Sequence, residues 1–131
     1  MRGVYLVAAE LSRLGLIASP TSRSAVGADI LVTDKVCSKS FSVQVKTNAK
    51  TFSFWLVGKK ASEITSDTHL YALVNIRKLK GIEVVDYFIV PSKIIARKLR
   101  YSKAKKTGSE WYSFYLEDAE KYKDNWKAFQ I

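Results

Sequence analysis

Three residues in the stretch GADILVTDKVCSKSFSVQVKTN, residues 27–48, carry the chemistry of this chain: Asp29, Gln44 and Lys46. A carboxylate and an amide carbonyl are oxygen ligands of the kind that hold Mg²⁺. A cation held there polarises a phosphate and lowers the pKa of a bound water. An ammonium two residues along steadies the attacking hydroxide and the negative charge that develops. Together they suit metal-assisted cleavage of a phosphodiester. Glu10 is a fourth candidate, because it lies in the apolar stripe of a helix where a carboxylate is costly to bury unless it is paired or bound to a cation. The alternative is that Glu10 sits at the edge of that stripe and meets Arg13 or a solvated lysine. The spacing D-x(14)-Q-x-K occurs by chance in many proteins, so its weight depends on the elements that carry it.

Those elements are legible. Side chains alternate faces along a strand, so in FSVQVK the residues Phe41, Val43 and Val45 point one way and Ser42, Gln44 and Lys46 the other. In ADILV, Asp29 shares a face with Leu31. If strands 28–33 and 40–47 pair, Asp29, Gln44 and Lys46 converge on one side of the sheet. Upstream, Val4, Val7, Leu11 and Leu14 recur at steps of three and four and mark a helix over residues 3–14, ended by Gly15. LIAS is a short extended piece, and PTSRSAVG has the composition of a turn.

Downstream, TFSFWLVG is extended and KKASEITSD is a short helix or a loop. HLYALVNI and VVDYFIV are apolar runs that form a hairpin through RKLKG. Pro91 opens a helix carried on by SKIIARKLR. A basic loop around Gly108 leads to EWYSFYL, a strand, and EDAEKYKDNWKAFQI closes the chain as a helix with Ala119, Tyr122, Trp126 and Phe129 on one face. The reading is one mixed α/β domain over residues 1–131, built on a central sheet.

Composition bounds the function. A chain of 131 residues, 47% apolar, is long enough for one compact core. Its formal charge of +10 points to a polyanionic partner or to a generally basic surface. The single cysteine, Cys37, excludes an internal disulfide and a thiolate metal site, and fits a reducing cytoplasm. No apolar run reaches the ~20 residues that span a membrane. Glu10 and Arg13 interrupt any signal-like segment at the start.

The helix with Glu10, the strand GADILV with Asp29 and the strand VQVK with Gln44 and Lys46 resemble a minimal PD-(D/E)XK nuclease, the superfamily of restriction endonucleases and archaeal-type Holliday junction resolvases. The resemblance covers residues 3–47 at motif level. It implies a restriction-endonuclease-like fold: a central mixed sheet flanked by helices, core order α-β-β-β-α-β, with an extra C-terminal helix. It implies Mg²⁺ or Mn²⁺ held by Asp29, Gln44 and Glu10, with Lys46 as catalytic lysine, and cleavage of DNA more readily than RNA. The departure is Gln44, where members usually carry Glu or Asp. An amide ligates without charge, so either Glu10 compensates and the enzyme is active, or the chain is a nuclease-fold module that only binds nucleic acid. A small basic RNA-binding domain unrelated to nucleases is a third reading, and it predicts no convergence of Asp29 with Gln44 and Lys46.

Two stretches hold cations and no acid: Lys35, Lys39, Lys46, Lys50, Lys59 and Lys60, then Lys93, Arg97, Lys98, Arg100, Lys103, Lys105 and Lys106. Such runs neutralise phosphates without reading sequence, or are merely solvated faces. Of these, Lys50 and the run from Arg97 to Lys106 are candidate nucleic-acid contacts, with Arg23 in the turn before Asp29. Trp55, Trp111 and Tyr112 either stack on bases or pack. His69 has no partner at ligand spacing and reads as structural. The hairpin over residues 70–90 offers an edge for a homodimer unless the core consumes it.

Overall fold

The computed structural model describes residues 1–22, 27–50 and 52–131. Helix α1 (Arg2–Arg13) precedes strands β1 (Ile17–Pro20), β2 (Ile30–Thr33), β3 (Ser40–Asn48) and β4 (Phe54–Leu56), then a 3₁₀ turn over Lys59–Ser62. Strands β5 (His69–Leu79) and β6 (Ile82–Pro91), helix α2 (Ser92–Lys98), strands β7 (Arg100–Lys103) and β8 (Glu110–Tyr115) and a short α3 (Leu116–Ala119) complete it. Among the described residues no helix is long and apolar enough to cross a membrane.

The described residues form a five-stranded sheet, β1-β2-β3-β5-β6, and a three-stranded one, β4-β8-β7. In the larger sheet only the β3–β5 pair is parallel. The crossover between those two strands contains β4 and the 3₁₀ turn. Strand β5 is buried from His69 to Ile76, as expected of a central strand covered on both faces. The β5–β6 hairpin closes through Lys80 and Gly81, both at positive φ, which is the two-residue turn that matches strand twist. The core therefore consumes most of that hairpin.

Two hydrophobic cores lie on opposite faces of the large sheet. Val4, Val7 and Leu11 of α1 pack with Val43, Val45, Val74 and Ile89 on one. Trp55, Phe114, Ile95 and Ala119 pack with Tyr71, Leu73 and Val90 on the other. Gly3 permits the close approach of α1, because a Cβ there would stand 1.8 Å from Thr47 Oγ1 and 3.0 Å from its Cβ. Rotating the threonine relieves only the first clash, so the helix itself must shift. Gly3→Ala is expected to lower stability by about 1–3 kcal/mol, read as a reduced urea midpoint at unchanged m. An unchanged midpoint would show that the helix seats elsewhere.

The closing segment differs from the continuous helix expected over residues 117–131. After α3 come 3₁₀ turns at Glu120–Tyr122 and Trp126–Phe129, separated where Asp124 adopts φ 52°. Ala119 and Tyr122 pack in the core beneath α2, whereas Trp126 and Phe129 pack in the core beneath α1. The chain crosses from one face to the other around the edge strand β6. There Asp124 N–H donates to Tyr87 O at 2.8 Å and Asn125 Nδ2 to Ile89 O at 3.1 Å. One apolar stripe in the sequence thus serves two cores, and the crossing covers part of an edge that would otherwise offer itself for pairing. Strand β7 is also an addition, since residues 100–103 read as the end of a helix and the start of a loop.

Candidate active site

Strand β3 places its side chains by alternation. Val43 and Val45 enter the core beneath α1, and Gln44 and Lys46 emerge half-buried on the opposite face. Asp29 directly precedes β2, and its N–H donates to Val43 O at 2.7 Å, extending the β2–β3 ladder by one bond. That bond sets its carboxylate over β3. Asp29 Oδ2 accepts from Gln44 Nε2 at 2.8 Å and from Val45 N–H at 2.8 Å. Only the amide nitrogen of Gln44 can donate to a carboxylate, so its carbonyl oxygen is not engaged by Asp29. Asp29 Oδ1 has no hydrogen-bond partner among the described residues. Gly27, at φ 80°, makes the entry to this position.

Lys46 follows Gln44 on the same face and lines two concavities. One, of about 250 Å³, adjoins Gln44 and is bounded by Gly27, Lys59, Lys60 and Tyr71. The other, of about 330 Å³, runs along β4. Lys59 and Lys60 stand on the 3₁₀ turn of the β3–β5 crossover. They belong to the acid-free lysine run, which signals cations near the site but does not say that these two return to Gln44. Lys60 also lies 3.8 Å from Glu63.

Glu10 is elsewhere. It lies on the helix that covers the other face of the sheet, 30% exposed, and its Oε2 accepts from Arg13 Nε at 2.7 Å. Burial pushes the Tyr87 hydroxyl up, and the charges of Glu10 and Asp124 add to that shift. The structure therefore joins Asp29 with Gln44 and sets Glu10 with Arg13 and Tyr87 across the sheet, the stripe-edge alternative for that residue.

The remaining basic candidates are dispersed. Lys50 borders a concavity with Arg77, Lys78 and Glu83. Helix α2, with Arg97 and Lys98 in its last turn, packs against the turn that carries Lys59 and Lys60. Arg100 on β7 is engaged by Glu117 and Asp118 and lies over the Tyr115 ring. Lys103, Lys105 and Lys106 are exposed at β7 and the turn after it, beyond β8 from the site. Arg23 lies outside the described residues.

His69 starts β5 opposite Ser42, with Oγ and Nδ1 2.6 Å apart and the ring 4% exposed against Tyr71. Its Nε2 is buried with no hydrogen-bond partner among the described residues. Burial holds its pKa below the ordinary 6.5, so the neutral ring is the folded form. A depressed folded pKa means stability that is present above 6.5 and lost as pH falls toward the lowered value. Thermal melts across that window are expected to fall with acid in the natural protein and less steeply in His69→Gln. Parallel curves would remove His69 as the cause.

Among solved structures, the chain is similar to Hjc, a Holliday junction resolvase of the archaeal hyperthermophile Archaeoglobus fulgidus. The TM-score is 0.53 at 10% identity, over 88% of this chain and 90% of that one. The fold is that of a Holliday junction resolvase. Neither a protein-family model nor a curated protein sequence matches the chain. The resolvase fold is a mixed sheet with helices, as the motif-level resemblance implied, and here the three-stranded sheet β4-β8-β7 and α2 cover the face that carries Gln44 and Lys46.

The oxygens available suit a hard cation: one carboxylate and one amide carbonyl, adjacent and half-buried. Mg²⁺ is commonly held by one or two carboxylates and completed by water and substrate phosphate. Asp29 and Gln44 fit that partial set with a single negative charge. Among the described residues no group of three or more His, Cys, Asp or Glu is placed to hold a metal.

Proposed function

We propose that this chain is a divalent-metal-dependent nuclease acting on DNA, with its centre at Asp29, Gln44 and Lys46. The observation that carries the reading is the hydrogen-bonded Asp29–Gln44 pair, with Lys46 next on the same face and Gln44, Lys46, Lys59 and Lys60 lining one cavity. The resolvase fold supports it.

Asp29 and Gln44 would hold the cation through Oδ1 and the amide oxygen, and a cation there supplies Lewis-acid polarisation of the phosphate and a more acidic water. Asp29 is pinned by two donors on Oδ2, so its other oxygen is presented in a fixed direction. Lys46 contributes a positive charge to the phosphorane-like transition state and holds an attacking hydroxide by hydrogen bonding. Lys59 and Lys60 neutralise the flanking phosphates and so orient the strand across the site. The charge of +10 makes this binding sensitive to salt.

A second reading has its own observation. With Gln44 neutral and Glu10 across the sheet, the site has one charged ligand, and a weak metal site leaves a module that binds nucleic acid without cutting it. Incubation with supercoiled plasmid and a branched DNA at low salt separates the two. Nicking in Mg²⁺ or Mn²⁺ that stops in EDTA is the result expected of the nuclease. Retarded mobility without any nicking in either metal selects the binding module.

A further inference from the structure

The cavity along β4 has no part in the proposed reaction, yet it shares Lys46 with the lysine-lined one. Its walls are Phe52, Phe54, Trp55 and Leu56 on one side and Lys46 and Asn48 on the other. Its volume of about 330 Å³ lies at the small end of ligand pockets, roughly 300–1,000 Å³. Phe52 is 47% and Leu56 48% exposed, so the cavity offers apolar surface beside a cationic centre. Trp55 is not available for stacking, since it is buried and its Nε1 donates to Val74 O at 3.0 Å. Phe54 leans on Tyr115 with ring centroids 5.6 Å apart, which fixes that wall. Asn48 Nδ2 donates to Phe54 O at 2.9 Å, pinning the β3–β4 connection and leaving the Asn48 amide oxygen as an acceptor for a base N–H.

One Lys46 ammonium therefore divides a cationic cavity from an aromatic one. That is the polarity of a nucleotide, whose phosphate and base lie on either side of the sugar. A base inside continuous duplex has both π-faces stacked and cannot enter, whereas an unpaired base brings a free face, and stacking on aromatics tolerates any base. We propose that the Phe52–Phe54–Leu56 cavity takes one unpaired base next to the phosphate held at Lys46, so that the substrate class is DNA with single-stranded character at the cut, a flap or an opened branch point. The inference rests on the proposed function and supplies its substrate class.

Binding in EDTA tests it without requiring cleavage. Anisotropy is measured on a fully paired duplex and on the same duplex bearing a short single-stranded flap with 2-aminopurine at the first unpaired position. The natural protein is expected to prefer the flapped DNA by about ten-fold and to quench the 2-aminopurine, one base stacked on an aromatic ring. Phe52→Ala is expected to lose both the preference and the quench at unchanged duplex affinity, and Phe52→Trp to restore them. Phe52 is about half exposed, so its truncation spares both cores. Equal affinity of the natural protein for the two DNAs overturns the proposal. So does an unaltered preference in Phe52→Ala, including the case where that protein changes only from dimer to monomer by sedimentation, which would assign the patch to a second copy of the chain. A preference without cleavage in any metal sinks the nuclease reading and leaves the base pocket standing. Cleavage without a preference does the reverse.

Discussion

Lys46→Ala is expected to lose metal-dependent cleavage of plasmid and branched DNA by at least about 100-fold, the scale of removing one positioned charge from a transition state. Lys46 lies on the face of β3 away from the α1 core and is half-buried, so the truncation leaves the packing of Val43 and Val45 in place. Duplex binding, carried also by Lys59, Lys60 and the cations of α2, is expected to weaken only by the loss of one phosphate contact. That corresponds to a salt slope lower by about one. The measurement is a pair of curves on the same preparation, cleavage rate against Mg²⁺ concentration and log affinity against log salt. Cleavage within ten-fold of the natural rate would remove Lys46 from the chemistry. A collapse of binding as large as that of cleavage would make it a general anchor instead.

The second large effect is expected at Gln44. Gln44 Nε2 donates to Asp29 Oδ2 at 2.8 Å, so Gln44→Glu replaces a hydrogen bond with two facing carboxylates. Without metal the variant is expected to be destabilised by about 1–3 kcal/mol near neutral pH, from the lost donor and like-charge repulsion. The sign with pH follows from the same geometry. Repulsion raises the folded-state pKa of the pair above its unfolded value, so the penalty shrinks as pH falls and one carboxyl takes a proton. Millimolar Mg²⁺ is expected to reverse the penalty, because binding to the folded state alone stabilises by mass action, about 2.7 kcal/mol at 100-fold over the dissociation constant. The natural protein, with one charge fewer, is expected to respond less. Thermal melts in EDTA and in Mg²⁺ for both proteins decide the matter. Equal melting temperatures in EDTA and no gain in Mg²⁺ would mean that residue 44 does not face a metal position.

Both predictions trace to alternation along two short strands. Once 28–33 and 40–47 are strands, the side-chain period of two puts Gln44 and Lys46 on one face of their strand and Asp29 on the face of its own strand opposite Ile30 and Val32. Burial of Ile30, Val32, Val43 and Val45 in one core then sets the register that joins the three. The observed pairing Ile30↔Val43 then brings Asp29 opposite Gln44. The helix boundaries of α1, the buried β5–β6 hairpin and the helix after Pro91 are legible for the same kind of reason: local periodicity and turn chemistry act over a few residues.

What lies beyond that reach was decided by packing between distant segments. A helical wheel puts Glu10 beside an apolar stripe but does not say which face of the sheet the stripe will cover. The close seating of Gly3 on Thr47 puts α1 on the face opposite Gln44. The stripe Ala119, Tyr122, Trp126 and Phe129 fits one helix as a pattern, yet the chain gains more by wrapping the β6 edge at Asp124 and filling two cores. Lys59 and Lys60 are ordinary members of a lysine run until the β3–β5 crossover folds them back over Gln44. The chemistry of the site is written in residue types and a period of two, which are local. Its ligand count and its cationic wall depend on which surfaces meet, and that is settled only when burial of both cores selects one arrangement of the whole chain.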